Sequence, residues 1–473
     1  MSPDIETTET HEIVKMEENH HKTKSLWSVI KLPWWEFVLV LLLLGATITM
    51  YVLDHLGTHL LIGIVVTSAL LGLWLAFRPS EWAVDGLDNL MKYVGLTAYV
   101  AGVISSLASN LPEAVAAGIL LVRGRAEILD PLGDAIYGQE LISTAFYTTL
   151  AAAGFNAILL GIVILVGGKK KGHVEIKQET IQAESVLLRW GFVAMFLTFA
   201  IAIVEFIHKI IVEIQAGGNF GGGGYVYGEL PRMAAVALVV SYVIYLIYLI
   251  IKGRQTKAIE AIGETKTKPT RSKLDKKMPD PVDRDDNIIE PIADEEDFLY
   301  RKSGKLVDNP YLVAPALERP HVSMGASIVL VLLGISGIAG GGYLLSHAVE
   351  QVMETTSLNI GIIALIVGFS GAIPEHGVAV VAAAKGKTDV ALGNILGGIL
   401  QMSLLVFGAF AIIVPAPIDY FMLFQLAAIA GIIWFVKRSI GDDHKLTSFE
   451  GIMVILAQVF AFILLIIEIA GLE

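Results

Sequence analysis

The chain has no cysteine at any of its 473 positions, which rules out disulfide frameworks, thiolate metal sites and cysteine nucleophiles together. Charge is also scarce: 17% of residues are charged against 55% hydrophobic, and the mean hydropathy is +0.67. That balance excludes a soluble globule. No HExxH zinc motif and no paired-aspartate signature occurs, so an enzymatic reading has no motif behind it. The net charge of −12 averages apolar spans with polar tails and leaves no basic footprint, which excludes nucleic acid as a partner. Residues 1–32 hold no apolar core of the kind a cleaved secretory signal requires. They read as a retained polar tail, with His11, His20 and His21 solvated rather than metal-bound.

What the chain does hold is apolar runs of about 20 residues, the length that crosses a hydrocarbon core. They fall near 34–53, 59–77, 95–122, 140–167, 185–213, 231–252, 324–349, 357–384, 388–415, 417–437 and 447–471, eleven in all. Lys and Arg concentrate in every second connection: Arg78 and Lys92, then Lys169, Lys170, Lys171 and Lys177, then a long polar loop, then Lys385 and Lys387, then Lys437, Arg438 and Lys445. The opposite connections carry few beyond Arg123 and Arg125. This bias puts the N-terminus in the cytosol. Residues 253–322 are basic as far as Lys277 and acidic after it, and they lack the spacing of a calcium-binding loop. They read as a flexible cytosolic linker rather than a calcium sensor.

Residues 101–125, AGVISSLASNLPEAVAAGILLVRGR, and residues 363–387, IALIVGFSGAIPEHGVAVVAAAKGK, match at a shift of 262. That shift lays Pro112-Glu113 on Pro374-Glu375 and Arg123-Gly124-Arg125 on Lys385-Gly386-Lys387. With Arg123 outside and Lys385 inside, the two copies cross in opposite directions. The expected fold is therefore an all-α polytopic membrane protein of about eleven transmembrane helices, two inverted five-helix repeats plus an extra N-terminal helix. Its parts are a tail (1–32), the extra helix (33–57), a first half (58–252), the linker (253–322) and a second half (323–473). Interrupted helices at corresponding places in two such halves point to a substrate site near the bilayer midplane.

The Pro-Glu pairs give that site its chemistry. A proline inside a helix cannot donate to the carbonyl four residues earlier, so Pro112 frees the Ala108 carbonyl and Pro374 that of Ser370. The glutamate beside each costs roughly 2.5–3.5 kcal/mol at the centre of a span, and two such costs in equivalent places suggest use. Calcium takes six to eight oxygen ligands from carboxylates, carbonyls and amides, and two glutamates cancel its charge. Asn156 and Gln401 stand on later spans among small residues that let helices approach. For each of them ligation competes with plain interhelical hydrogen bonding. Ser105, Ser106, Ser109, Asn110 and Ser370 are further candidates, although serines commonly bond their own helix backbone. His376 follows the second glutamate and is placed either to relay protons with Glu113 and Glu375 or simply to pack. Glu205, His208, His347 and Glu468 lie towards helix ends, where interfacial roles are the default.

These residues resemble the two alpha-repeats of the calcium/cation antiporter superfamily, which holds sodium/calcium and cation/proton exchangers. The likeness covers the second to eleventh spans and is most specific at LASNLPEA and SGAIPEHGVAVVAAAKGKTDVALGNILGGILQ. It implies ten core helices in two inverted halves, with calcium bound by Glu113 and Glu375 and polar positions at Asn156 and Gln401. The extra first helix, the Gly-Gly before Gln401 and the histidine at 376 resemble the cation/proton branch. Sodium exchangers usually carry Gly-Thr-Ser before Leu-Pro-Glu. Here Ala108-Ser109-Asn110 and Gly371-Ala372 stand in those places, so several sodium ligands are missing. Glu113 and Asn156 are 43 residues apart, against 26 for Glu375 and Gln401, so the first repeat carries an insertion of 17. It spans roughly RAEILDPLGDAIYGQE and is expected to form either an acidic vestibule that concentrates cations or a surface helix capped by Asp130.

The expected function is exchange of calcium, or a similar divalent cation, for protons across a prokaryotic cytoplasmic membrane. No cofactor is implied, and the partners are the ions and the lipid bilayer. Sodium/calcium exchange on the same fold, a passive cation channel and an intramembrane hydrolase are the rival readings.

Overall fold

The structure, a computed structural model, describes residues 30, 32–57, 60–94, 106–108, 110–169, 171–176, 178–215, 228–266, 300–302, 305–307, 322–356, 358–384 and 388–469. Its helices are α1 (Trp34–His55), α2 (Leu61–Val94), α3 (Leu111–Leu129), α4 (Ala135–Gly168), α5 (Gln178–Gln215), α6 (Arg232–Lys266), α7 (Met324–Thr355), α8 (Ile360–Ala384), α9 (Thr388–Leu400), α10 (Phe407–Ile413), α11 (Tyr420–Asp443) and α12 (Ser448–Ile469). A π-helical turn, Gln401–Val406, joins α9 to α10, so these form one span with an interruption. Four three-residue strands complete the list: β1 (His173–Glu175), β2 (Tyr300–Lys302), β3 (Lys305–Val307) and β4 (Lys445–Thr447). The protein is an all-α polytopic membrane protein. Seven helices among the described residues have the length and apolarity to cross a membrane, and α6, α8 and α12 contribute shorter apolar stretches.

The helices pack through small residues. α2 and α7 lie antiparallel along their whole length, roughly 50 Å for some 34 residues at 1.5 Å each. A Cβ added to Gly341 would fall 2.6 Å from Gly72 O, one on Gly86 would fall 2.7 Å from Ser327 O, and Tyr93 Oη donates to Val322 O at 2.8 Å. Pro79 lies inside α2, and the bare backbones of Gly334 and Gly337 on α7 take up its carbonyl and ring. The 262-residue shift read from the Pro-Glu copies carries the bounds of α2 to 323–356, within a residue of α7 at each end.

α4 is the centre of the bundle. It is apolar on all sides, as a helix surrounded by others must be, and it is buried from Leu141 to Gly154 without a break. α3, α8, α9 and α12 pack on it. α1, α5 and α6 instead turn Leu42, Val204, Ile244 and similar side chains outward, where lipid replaces protein as the apolar surrounding.

The insertion of the first repeat forms neither a separate surface helix nor a loose loop. It lengthens α3 and α4 into a protruding hairpin. Asp130 is the C-cap of α3, and its Oδ1 accepts from Leu132 N at 2.9 Å. Asp134, not Asp130, caps a helix: its Oδ1 accepts from Ile136 N at 2.9 Å and Tyr137 N at 3.1 Å. Glu127 accepts from Asp134 N at 3.0 Å. Three acids of the expected vestibule thus serve the hairpin's own backbone. α6 continues to Lys266, past residue 252 where the apolar run ends, and β2 pairs with β3 inside the stretch read as linker. At one end of the bundle β1 pairs antiparallel with β4, His173 opposite Thr447. The turn before β1 places Gly172 at φ +75, a region that suits glycine.

Candidate cation site

α3 begins at Leu111, with Asn110 at its N-cap and Pro112 in its first turn. The sequence reads Pro112 as a helix-interior proline; the structure instead breaks the chain just before it. At this position proline's missing N–H would have no partner in any case, and its fixed φ suits the helix. The break puts Glu113 in the first turn, where the helix dipole favours a negative charge. A Pro-Glu pair at a helix end usually leaves its carboxylate in water, but Glu113 is only 4% exposed. Its Oε2 is buried without a hydrogen-bond partner among the described residues. α8 runs without a break through Pro374, so the two copies differ in backbone at the same motif.

The second copy nevertheless meets the first. A Cβ on Gly371 would lie 2.5 Å from Glu113 Oε1 and 2.8 Å from its Cδ. The Glu113 carboxylate therefore rests on the bare backbone of α8, one helical turn before Glu375. The side chains of Glu375 and His376 lie outside the described residues, as do Ser105 and Ser109. Ser370 spends its hydroxyl on its own helix, donating to Val367 O at 2.9 Å.

The polar candidates divide into two groups. Asn110 and Gln401 come together, with Asn110 Nδ2 donating at 2.9 Å both to Gln401 Oε1 and to Ser106 O. Gln401 Nε2 in turn donates to Leu107 O at 3.2 Å, and Ala108 is buried between these partners. Asn156 is the opposite case: it is fully buried, and neither its Oδ1 nor its Nδ2 has a partner among the described residues. Its depth follows from the α3–α4 hairpin, where a Cβ on Gly124 would meet Gly138 O at 2.6 Å and Ile142 N at 3.0 Å. Counting back along both helices brings Glu113 level with about residue 151 and the break before α3 level with about residues 154–157. The insertion therefore leaves Asn156 at the depth of the break.

Some polar groups escape sequence reading. Thr148 Oγ1 and Asn394 Oδ1 are buried without partners among the described residues, as Asn156 is. Gln458 Nε2 donates to Gln425 Oε1 at 2.8 Å, both residues wholly buried where α11 and α12 meet α4. Arg123 pairs with Glu350 of α7, which is 5% exposed, and lies 5.7 Å over the Tyr343 ring. His347 stacks between Tyr51 and Tyr343 beside that pair. Single polar residues in apolar spans are the only sequence signal for these contacts, and such residues do not name their partners. Among the described residues no group of three or more His, Cys, Asp or Glu gathers as a metal cluster. Any ion held here would rely on a few carboxylates together with carbonyl and amide oxygens.

The model of the family described as sodium/calcium exchanger protein matches residues 61–251 and 326–467. The chain belongs to the sodium/calcium exchanger family. The match spans α2 to α12 and leaves α1 outside it. Among solved structures, the chain is similar to the H+/Ca2+ exchanger CAX, at 14% identity over 91% of this chain and 92% of that one, with a TM-score of 0.55. It is also similar to native YfkE, at 15% identity over 90% and 98% of the two chains with a TM-score of 0.48. A third match is the sodium-calcium exchanger NCX_Mj, at 16% identity over 86% and 99%, with a TM-score of 0.45. At such identities the likeness is one of fold. The comparison with curated proteins finds no match.

Proposed function

We propose that this family member is a secondary active antiporter that exchanges calcium, or a similar divalent cation, for protons by alternating access. The observation that carries the reading is the Glu113 carboxylate: buried, short of a partner at Oε2, and seated on the backbone of the second Pro-Glu helix. A carboxylate in such a place is costly unless an ion or a proton joins it. Glu113 and Glu375 take the cation when deprotonated and return with protons. Exchange is obligatory because an empty, doubly charged site is too costly to reorient. Asn156, whose amide oxygen bonds nothing among the described residues, lies at the depth of the break. The antiparallel fit of α2 on α7 and the 262-residue correspondence of their bounds support two inverted halves.

Protons are favoured over sodium by the scarcity of hydroxyls. Where sodium exchangers place Thr and Ser, Asn110, Gly371 and Ala372 carry no hydroxyl and Ser109 keeps one, while the Ser370 hydroxyl is committed to Val367 O. The lysine and arginine bias supports a cytosolic N-terminus and a cytosolic 253–322 stretch. The test is calcium uptake into proteoliposomes under an imposed proton gradient, with a sodium gradient in parallel and an ionophore control. Uptake on protons alone is expected. Uptake on sodium alone would overturn the counter-ion, and uptake insensitive to either gradient would favour a channel.

A further inference from the structure

Gln401 has both ends of its amide engaged, and both partners belong to the break before α3. Its Oε1 receives Asn110 Nδ2 at 2.9 Å and its Nε2 donates to Leu107 O at 3.2 Å. Asn110 also ties back to Ser106 O, through its side chain at 2.9 Å and its backbone N–H at 3.2 Å. The carbonyls on the N-terminal side of Ala108 are thereby fixed, and the turn that starts α3 is held to the other half of the chain. Gln401 opens the π-helical turn, in which Phe407 N–H reaches Met402 O. Such turns are rare and frequently occur at functional sites. Asn156, the corresponding amide of the first repeat, sits in unbroken α-helix and bonds nothing among the described residues.

Building on the cation-site reading, we infer that Gln401 is a positioning residue rather than an ion ligand: with Asn110 it forms an inter-half brace that fixes the break before α3, and so the place of Glu113 and the Ala108 carbonyl. The two repeats then divide the work, with a free amide at Asn156 and a committed one at Gln401. This separation is not visible in the sequence, where both amides look alike.

The brace and a ligand role predict opposite effects for Gln401→Glu. A carboxylate is a better calcium ligand than an amide, so a ligand at 401 would keep or tighten calcium affinity. A brace loses its donor and sets a carboxylate oxygen against Leu107 O. The calcium concentration for half-maximal uptake by the full-length chain in proteoliposomes should then rise about tenfold, with the maximal rate kept within about threefold. Asn110→Ala should reproduce this shift, and the double variant should add nothing to either single one. Thermal melts of the same four proteins in detergent read the brace independently of transport. Equal losses in the two single variants and the double variant are expected; additive losses, or unchanged affinity in Gln401→Glu, would overturn it. Failure of the unaltered protein to take up calcium would count against the antiporter reading alone, because the melts still decide the brace.

Discussion

Gly371→Ala adds one methyl group at the point where the two Pro-Glu helices touch. The new Cβ would stand 2.5 Å from Glu113 Oε1 and 2.8 Å from Cδ, whereas ordinary contacts begin about 1 Å further out. α8 is packed on α4 at Gly368, where a Cβ would already meet Ala152 N at 3.0 Å, so the helix has no room to retreat. The Glu113 side chain has to move by about 1 Å. Calcium–oxygen distances lie within about 2.3–2.6 Å, so a carboxylate displaced this far stops ligating. Misplacement of this size costs on the order of 100-fold, about 2.7 kcal/mol. Alanine is also the better helix former, by up to about 1 kcal/mol, so the fold should not suffer. The assay is calcium uptake in proteoliposomes alongside thermal unfolding in detergent. Half-saturation shifted about 100-fold with an unchanged melt is expected. Unaltered calcium affinity would refute the placement of Glu113 against Gly371 as part of the site.

Other substitutions probe neighbouring claims. Glu113→Gln and Glu375→Gln should each abolish gradient-driven uptake while leaving a folded protein; calcium flux retained in either would sink that glutamate's assignment. Arg123→Met strands the Glu350 carboxylate, which is 5% exposed, and should lower stability by about 1–3 kcal/mol once screening at the half-exposed arginine is allowed for. Glu350→Gln should cost less than Arg123→Met in the same melts, and the reverse order would contradict the pairing. Gly154→Val sets new methyl groups against Phe462 Cζ, already 2.7 Å from an added Cβ, and Gln458 Cδ at 2.8 Å. Overpacking of this kind should cost about 1–3 kcal/mol of stability. Asp134→Ala removes the N-cap of α4 and should lower stability by about 1 kcal/mol, with transport unaffected if the protruding hairpin has no part in ion entry.

Hydropathy alone is enough to place the seven long apolar helices found among the described residues, because each must satisfy its backbone within itself and cover about 30 Å of hydrocarbon. The break at Asn110 is not legible in that way. Proline is equally at home in a kinked helix and in the first turn of a new one, and the apolar run from 95 to 122 is continuous in either case. The hairpin tip was ambiguous for a similar reason. Asp130 and Asp134 are both cap-forming residues, and the hydrogen bonds that Asp134 Oδ1 accepts from Ile136 N and Tyr137 N are what mark it as the start of α4. At the candidate site, charge and position mark Glu113 without help from the structure. The engagement of Gln401 with Asn110, and the freedom of Asn156, depend on which helices meet, and one sequence does not encode that in any short window.

The β1–β4 ribbon ties an early part of the chain to a late one. His173 leaves the ribosome long before its partner Thr447 exists, so the end of α4 stays unpaired until α11 has been made. Ser448 N–H, at the start of α12, then bonds Gly172 O at 3.1 Å, so threading of the last helix is coupled to closure of the ribbon. A chain that stopped after α11 would leave β1 without its partner strand, and the end of α4 would keep side contacts such as Gly167 against Thr388 but lose the ribbon. Closure of the ribbon therefore has to follow synthesis of α11, about 270 residues after β1 is made.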